Sequence, residues 1–195
     1  MRAPLPRTGQ RIDTHPRTPY DSRVVRVLPP DEIESRAGEL AGVLLDAVAG
    51  GASVSFLAGL PAEDARSFFA RAASEARAGR RILLAAFAGP RLMGTVQLFL
   101  DTPPNQPHRA EVAKLLVHRD GRRQGIATSL MRAMEEEARR RGRTLLTLDT
   151  IAGGAGDHLY SGLGYVRVGE IPGYALFPEG GVPAATAIFY KWLDM

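Results

Sequence analysis

Residues 111–134 read EVAKLLVHRDGRRQGIATSLMRAM, and this stretch decides the fold. An apolar run ends in a charged turn that contains glycine, and a helical pattern of apolar residues begins at once. Such a strand, turn and helix N-terminus form an anion site, because the first N–H groups of a helix are unpaired and its dipole adds partial positive charge. Gly125 lets an anion approach the backbone, and Arg122 and Arg123 add full charges. The stretch therefore predicts a pyrophosphate-binding turn.

The composition indicates an ordinary soluble domain. The chain has 195 residues, of which 45% are apolar and 24% are charged, and these fractions are typical of globular proteins. There is no cysteine, so disulfides, thiolate zinc sites and cysteine nucleophiles are excluded. No apolar run reaches the roughly 18–20 residues of a membrane span, and the N-terminus lacks the apolar segment of a secretory signal. These features predict a cytoplasmic protein that has no metal and no membrane partner.

The positive charge is confined to the N-terminus. The formal net charge is +4, and residues 1–26 contain six arginines against two aspartates, which accounts for all of it. Because the rest of the chain is balanced, a basic face for nucleic acid is not predicted. Residues 1–20 are rich in proline and arginine and lack apolar periodicity, so they are predicted to form a disordered basic arm. Residues 21–195 are predicted to form one domain.

The spacing of apolar residues predicts seven strands and four helices. The predicted strands cover 24–28, 82–88, 92–100, 111–118, 145–149, 165–169 and 187–193, and the predicted helices cover 31–48, 61–78, 123–141 and 157–162. In chain order they read β-α-α-β-β-β-α-β-α-β-β, with antiparallel hairpins first and a parallel unit around the basic turn. This order predicts an α/β (α+β) fold with three α/β/α layers and a mixed central sheet. The segments 54–60, 101–108 and 171–179 are predicted to be loops that build a substrate pocket.

Two short motifs carry a family resemblance. Residues 122–127 read RRQGIA, after a strand that ends in Leu-Val and before a long helix, and residues 159–165 read LYSGLGY. The first resembles the Arg/Gln-x-x-Gly-x-Gly/Ala signature of the GNAT superfamily of N-acetyltransferases, and the second is similar to that family's Phe/Leu-Tyr-x-x-Leu-Gly-Phe. Within the superfamily the chain looks most like the tabtoxin-resistance-type acetyltransferases, through RAEV at 109–112, LDT at 148–150 and IPGY at 171–174.

The resemblance implies a GNAT-like fold whose central sheet splays, with acetyl-CoA as the donor and direct attack by an amine in a ternary complex. It implies that the pantetheine arm pairs with the backbone of Leu115, Leu116 and Val117, and that an N–H of Leu116 or Val117 stabilises the developing oxyanion. The residues that it assigns to the coenzyme's pyrophosphate are Arg122, Arg123, Gln124, Gly125, Ile126, Ala127 and Thr128. Tyr160 is assigned to the coenzyme site as well.

The chemistry of amine acetylation requires a base more than an acid. At pH 7 an alkyl ammonium with a pKa near 10.4 loses its proton at a cost of about 4.6 kcal/mol, whereas protonation of the leaving thiolate is worth only about 2 kcal/mol. Glu111 aligns with the glutamate that some members of the superfamily use as base. Asp149 ends the neighbouring strand and matches an acid implicated in the tabtoxin-resistance type, so both remain candidates. Tyr160 matches the family's usual acid for the thiolate.

The expected acceptor is the primary amine of a small molecule. Glu111, Asp149 and Asp157 together predict an acidic pocket that favours a cationic amine. Two alternatives stay open. One is a protein or peptide N-acetyltransferase, whose wide groove the loop at 172–174 would obstruct. The other is a non-catalytic acyl-CoA-binding module, which the basic arm would support. The final strand and the second helix are the surfaces predicted for a homodimer.

Overall fold

The computed structural model describes residues 23–194, so the predicted basic arm at residues 1–20 lies outside the described residues. One seven-stranded sheet runs through the described range in the order β1-β2-β3-β4-β5-β7-β6. The strands are β1 (Arg23–Val27), β2 (Arg81–Ala88), β3 (Arg91–Phe99), β4 (Arg109–Val117), β5 (Leu145–Ile151), β6 (Val166–Phe177) and β7 (Gly180–Trp192). The helices are α1 (Pro30–Ser35), α2 (Ala37–Ala49), α3 (Ala62–Arg77), α4 (Ile126–Arg140) and α5 (Ala155–Gly162).

The two faces of the sheet are covered by different helices. Successive side chains of a strand point to opposite faces, and β2 shows this with apolar residues on both sides. Leu84 packs in a core that includes Leu130 of α4, whereas Leu83 packs in a second core that includes Phe69 of α3. The predicted three-layer α/β/α arrangement with a mixed sheet is therefore confirmed.

The sheet opens between its central strands. β4 and β5 are parallel and pair only from Arg109 with Leu145 to Glu111 with Thr147, although both strands continue well beyond that point. The register between β3 and β4 also shifts by one residue next to Lys114, whose φ is 53°. Such a bulge bends the strand that carries it. The predicted splay is thus present on the far side of the last β4–β5 pair.

Two helix predictions were wrong in their limits. The helix expected over 31–48 is divided at Arg36, where φ is −97° and ψ is 12°, so that α1 and α2 are separate helices. The helix expected from residue 123 begins instead at Ile126, because Arg123 and Gly125 have φ values of 62° and 78°. Left-handed residues cannot belong to a right-handed helix.

The predicted loop at 171–179 is also wrong, since β6 and β7 run through it as one long hairpin. The register of this hairpin shifts in three places. Pro172 and Gly173, which suggested a loop, lie at one of these shifts, between the paired residues Ile171 and Ala175. Pro172 is tolerated because β6 is an edge strand, where one side of the backbone has no ladder partner. The final strand, β7, lies between β5 and β6. Edge pairing in a dimer is therefore open to β6 and not to β7.

Candidate active site

A cleft of about 430 Å³ opens where β4 and β5 separate. The cleft is lined by residues from six separate parts of the chain. These are 53–57 after α2, 112–115 of β4, 149–151 of β5, Tyr160 of α5, 174–176 of β6 and 185–186 of β7. The segments before α3 and near the end of β6 were predicted to line the pocket and do so. The third predicted segment, 101–108, does not.

The three carboxylates predicted to share this pocket are not brought together. Asp149, two residues before the end of β5, lines the cleft and accepts a hydrogen bond from the Thr186 hydroxyl at 3.2 Å. Glu111 is exposed on β4 and is not among the lining residues. Asp157 is buried outside the cleft, where it accepts the Gly153 N–H at 2.8 Å. Of the three carboxylates, only Asp149 lines the cleft, although the charge of Glu111 also acts on the cleft residue Lys114; the predicted acidic pocket is therefore only partly formed.

Lys114 is the one other charged side chain that lines the cleft within residues 23–194. It occupies the bulge of β4, and its ammonium donates to the Ser55 hydroxyl at 2.8 Å and lies 5.9 Å from the centre of the Phe56 ring. Burial lowers the pKa of Lys114, while the nearby charge of Asp149 acts in the opposite direction. The sequence prediction assigned no role to this residue. The available signal was a lysine inside an apolar run, in a chain with only two lysines.

Tyr160 is held against the cleft by an aromatic cluster on α5 and its neighbours. Its ring lies 5.8 Å from that of Tyr165 and 5.9 Å from that of Phe189, and only 7% of the residue is exposed. Burial raises the pKa of the Tyr160 hydroxyl above its usual range, and the charge of Asp149 raises it further. The phenol therefore keeps its proton at neutral pH and is available as a hydrogen-bond donor.

The predicted anion turn is present after β4. The N–H of Ser129 reaches back to the carbonyl of Gly125 at 3.0 Å. This is the first hydrogen bond of α4. The N–H groups before it, those of Ile126, Ala127 and Thr128, therefore have no carbonyl of an earlier helical turn to accept them. A Cβ added at Gly125 would have no neighbour within 4 Å. The turn therefore presents backbone donors and the positive end of a helix dipole to an open space.

The charged and polar side chains of this turn have different partners. The Arg122 guanidinium donates to the Val117 carbonyl at 3.3 Å and lies 3.8 Å from the Asp46 carboxylate of α2, whereas Arg123 is exposed. The side-chain amide of Gln124 donates to the Asp120 carbonyl at 2.8 Å.

Asp46 ties the turn to α2. Its carboxylate accepts the backbone N–H of Arg119 at 2.8 Å and also the side chain of that arginine. Burial opposes ionisation, but these hydrogen bonds, together with the charges of His118 and Arg119, hold the pKa of Asp46 below its usual value. Asp46 was not identified from the sequence, because its partners are more than 70 residues away in the chain.

The backbone of β4 presents only alternate peptide groups to the opened edge. A Cβ added at Gly94 of β3 would lie 2.7 Å from the Leu116 carbonyl, and the His118 N–H donates to the Met93 carbonyl at 2.9 Å. Leu116 and His118 therefore face β3. Because successive peptide groups of a strand point to opposite edges, Val117 faces the opened edge beside β5. Of the two N–H groups predicted for the oxyanion, that of Leu116 points the wrong way, and its side chain is buried as well.

Within residues 23–194, no group of three or more His, Asp or Glu side chains is placed to hold a metal ion. None of the helices in the same range is long and apolar enough to cross a membrane.

Several solved structures share this fold at low sequence identity. An N-acetyltransferase from Staphylococcus aureus Mu50 is 14% identical, with a TM-score of 0.73 over 88% of this chain and 99% of that one. The yncA protein of Salmonella typhimurium, solved with its cofactor acetyl-CoA, is 15% identical, with a TM-score of 0.72 over 89% and 95%. A ribosomal-protein-alanine N-acetyltransferase from Brucella melitensis is 20% identical, with a TM-score of 0.70 over 87% and 99%.

The family is shown by the sequence itself. The family model described as "Acetyltransferase (GNAT) family" matches residues 45–165. The match includes the anion turn, the opened strands and Tyr160, and it extends over more than half of the chain. This chain therefore belongs to the GNAT family of acetyltransferases and is an acyltransferase.

Proposed function

We propose that this enzyme transfers the acetyl group of acetyl-CoA to the primary amine of a small molecule, by direct attack in a ternary complex. The observation that carries the proposal is one cleft, opened where β4 and β5 separate, that is lined by Asp149 and Tyr160, while β4 itself leads directly into the anion turn. The yncA protein, which has the same fold and was solved with acetyl-CoA, supports this donor. The resemblance to tabtoxin-resistance-type enzymes supports a small acceptor and remains a prediction.

The anion turn fits the coenzyme's pyrophosphate. The N–H groups of residues 126–128 would bind its oxygens, Gly125 would allow a close approach, and Arg123 would supply charge from its exposed position. The Val117 peptide would bind the coenzyme's arm along the opened edge of β4, where no strand competes for it. When bound, the coenzyme supplies an acetyl group that is activated as a thioester.

Asp149 is the preferred base, because it lines the cleft whereas Glu111 does not. An exposed carboxylate at the end of a parallel strand borders the ligand crevice in α/β sheets, and it can accept a proton from an ammonium directly or through one water. Glu111, which lies at the last β4–β5 pair, is the alternative base and would act through a water.

Tyr160 is proposed to donate a hydrogen bond to the sulfur as the thiolate leaves. Its raised pKa keeps the donor proton in place. Complete transfer of that proton would leave a buried phenolate, which is costly because burial disfavours the charged form. A hydrogen bond therefore fits the structure better than a full proton transfer.

The alternative acceptor is a peptide, as the name of the Brucella melitensis protein indicates for that enzyme. Two hydrogen bonds connect the segment after α2 with the end of the β6–β7 hairpin. The Ala58 N–H donates to the Pro178 carbonyl at 2.7 Å, and the Ser53 hydroxyl donates to the Leu176 carbonyl at 3.3 Å. These bonds join two walls of a cleft whose volume is in the range of small-molecule pockets, about 300–1,000 Å³. This arrangement favours a small acceptor.

The test is thiol release from acetyl-CoA by the full chain, measured with a panel of small primary amines and with peptides that have free N-termini or lysines. We expect turnover with small amines. Tyr160→Phe should lower kcat at least tenfold and leave the Kd for acetyl-CoA unchanged. Turnover with peptides alone would favour the alternative acceptor, and acetyl-CoA binding with no turnover would favour a non-catalytic module.

A cytoplasmic location and a homodimer remain predictions from the sequence. For the dimer, the structure offers the edge strand β6, on which the exposed fractions of Val168 and Tyr174 are 65% and 54%. Light scattering of the purified chain measures the oligomeric state, and a monomer mass at micromolar concentration would contradict the dimer.

A further inference from the structure

The cleft contains one cation and one anion that do not neutralise each other. Among residues 23–194, neither Lys114 nor Asp149 has an oppositely charged side chain within 4.0 Å. The polar contacts of each are with hydroxyl groups, those of Ser55 and Thr186. Asp149 is exposed to water, but Lys114 is partly buried, and a charge that is withdrawn from water is normally paired because it loses hydration without compensation. The two charges are thus separate, and each is open to a partner from outside the chain.

Lys114 is held in place at a conformational cost. Its φ of 53° and the φ of 71° at Ser55 are both left-handed, and the two residues are joined by a hydrogen bond of 2.8 Å. Non-glycine residues in this region cost of order 1–3 kcal/mol and persist where the surrounding structure fixes them, commonly at ligand sites. The bulge of β4 thus directs an ammonium into the cleft instead of to solvent.

The surroundings of this ammonium favour an additional anion. Phe56 covers one side of it, and Ser55 satisfies only one of its three donors. Burial is the main cause that lowers the pKa of Lys114; the charge of Arg81 acts in the same direction, and the charges of Asp149 and Glu111 oppose it. A bound carboxylate or phosphate would replace the lost water and offset the repulsion from Arg81.

On the basis of the proposed function, we propose that the acceptor carries an anionic group in addition to its amine. Lys114 binds the anion, with Ser55 fixing the direction of the ammonium, while Asp149 holds the amine at the opposite wall of the cleft. The substrate class is therefore a small zwitterion, such as an amino acid or an amino-alkyl phosphate. This differs from the purely cationic amine that the sequence favoured.

The experiment compares matched pairs of acceptors that differ only in the anion. L-leucine is compared with 3-methylbutylamine, and O-phosphoethanolamine with ethanolamine, by thiol release from acetyl-CoA with the full chain. We expect kcat/KM to be at least tenfold higher for the anionic member of at least one pair. The leucine pair tests a carboxylate and the ethanolamine pair tests a phosphate, so the preferred anion is identified by the same data.

Variants then assign the preference to one side chain. In Lys114→Met the ratio of kcat/KM within the preferred pair should fall at least fivefold, whereas Lys114→Arg should retain most of it. Arg132→Met is the matched control, because Arg132 is an exposed cation on α4 outside the cleft, and its ratio should equal that of the wild type. The Kd for acetyl-CoA and the unfolding temperature are measured for each variant, so that a folding defect is separated from a binding defect.

The possible failures are distinguishable. Equal kcat/KM within both pairs, or a ratio that Lys114→Met leaves unchanged, would overturn the zwitterion proposal and leave the acetyltransferase proposal intact. If acetyl-CoA binds but none of the four compounds or the wider amine panel is acetylated, both proposals fail together.

Discussion

The two ends of the opened β4 strand are built in different ways. One end, residues 117–128, is proposed to bind the coenzyme and is called the coenzyme end; here the groups available to a ligand are mostly backbone N–H groups placed by one continuous segment. The other end, the cleft around Lys114 and Asp149, is proposed to bind the acceptor and is called the acceptor end; here the available groups are side chains from six separate segments. The coenzyme end is therefore formed by the local conformation of one segment, whereas the acceptor end is formed by tertiary contacts between distant segments. The coenzyme end is thus suited to a constant ligand, and the acceptor end can vary with the substrate.

Both ends contain residues with strained backbone conformations, but different contacts fix these conformations at each end. Within residues 23–194 the non-glycine residues with positive φ are Ser55, Lys114 and Arg123. Arg123 is fixed inside a tight turn next to Gly125, which is left-handed as well. Ser55 and Lys114 are 59 residues apart and are fixed by their mutual hydrogen bond. Strain at the acceptor end therefore depends on contacts between distant segments, so a change there should affect substrate selection before it affects coenzyme binding.

The largest expected effect is at the acceptor end, in Asp149→Asn. Because the amide cannot accept the proton of the ammonium, we expect kcat/KM to fall about 100-fold, within the range typical of general-base catalysis. The Kd for acetyl-CoA should stay within twofold, since Asp149 lies outside the anion turn. Glu111→Gln is the matched control and should reduce kcat/KM less than Asp149→Asn does. The reverse order in steady-state kinetics would identify Glu111 as the base.

The second effect is at the coenzyme end, in Gly125→Ala. The new Cβ meets no protein atom within 4 Å, so it projects into the space through which an anion approaches the turn. We expect the Kd for acetyl-CoA to rise at least tenfold by calorimetry, with a loss of about 1 kcal/mol in stability from the left-handed φ. Gly142→Ala is a matched control at the other end of α4, because its φ is 70° and its Cβ also has an open space. Equal Kd values for the two variants would contradict the assignment of the turn.

The same difference explains what could be predicted from the sequence. The turn between β4 and α4 was predictable, since glycine, arginine and the start of a helical period lie within one short segment; its role as the coenzyme site stays a prediction. The fold was predictable to the level of seven strands, because short apolar runs bounded by glycine and proline mark strands, and β2 and β3 are buried along almost their whole length. Lys114 was missed because its role depends on a bulge and on Ser55, and neither leaves a local pattern. Glu111 was ranked equal to Asp149 because strand ends are visible in a sequence, but the faces that line a cleft are not.

A smaller effect is expected where α5 contacts β5, in Gly156→Ala. A Cβ at this position would lie 2.4 Å from the Thr150 hydroxyl and 3.3 Å from Cε2 of Tyr160. Relief of the overlap should cost about 1–3 kcal/mol in the free energy of unfolding and should reduce kcat several-fold by displacing the phenol. Thr150→Ala removes the hydroxyl, so the double variant should recover most of the stability in urea unfolding. Gly162→Ala serves as control, because a Cβ added there would have no neighbour within 4 Å. If the double variant is as unstable as Gly156→Ala, the steric cause is refuted.

The smallest effect on binding is expected for Asp46→Asn, which loosens the turn without touching the ligand. The Kd for acetyl-CoA should change two- to threefold, whereas the free energy of unfolding at pH 7 should fall by about 1.5–3 kcal/mol, as for a lost hydrogen bond to a charged group. Because the pKa of Asp46 is lower in the folded chain, its stabilisation is present above the unfolded carboxyl pKa near 3.9 and is lost as the pH falls through the folded value. Urea unfolding at pH 7 and pH 3 should therefore show a smaller difference in the free energy of unfolding between wild type and Asp46→Asn at pH 3.

The control for this prediction is Asp120→Asn, which breaks an exposed ion pair with Arg91. It should lower the free energy of unfolding at pH 7 by less than Asp46→Asn does. A difference for Asp46→Asn that is equal at both pH values would show that its carboxylate charge does not hold the turn.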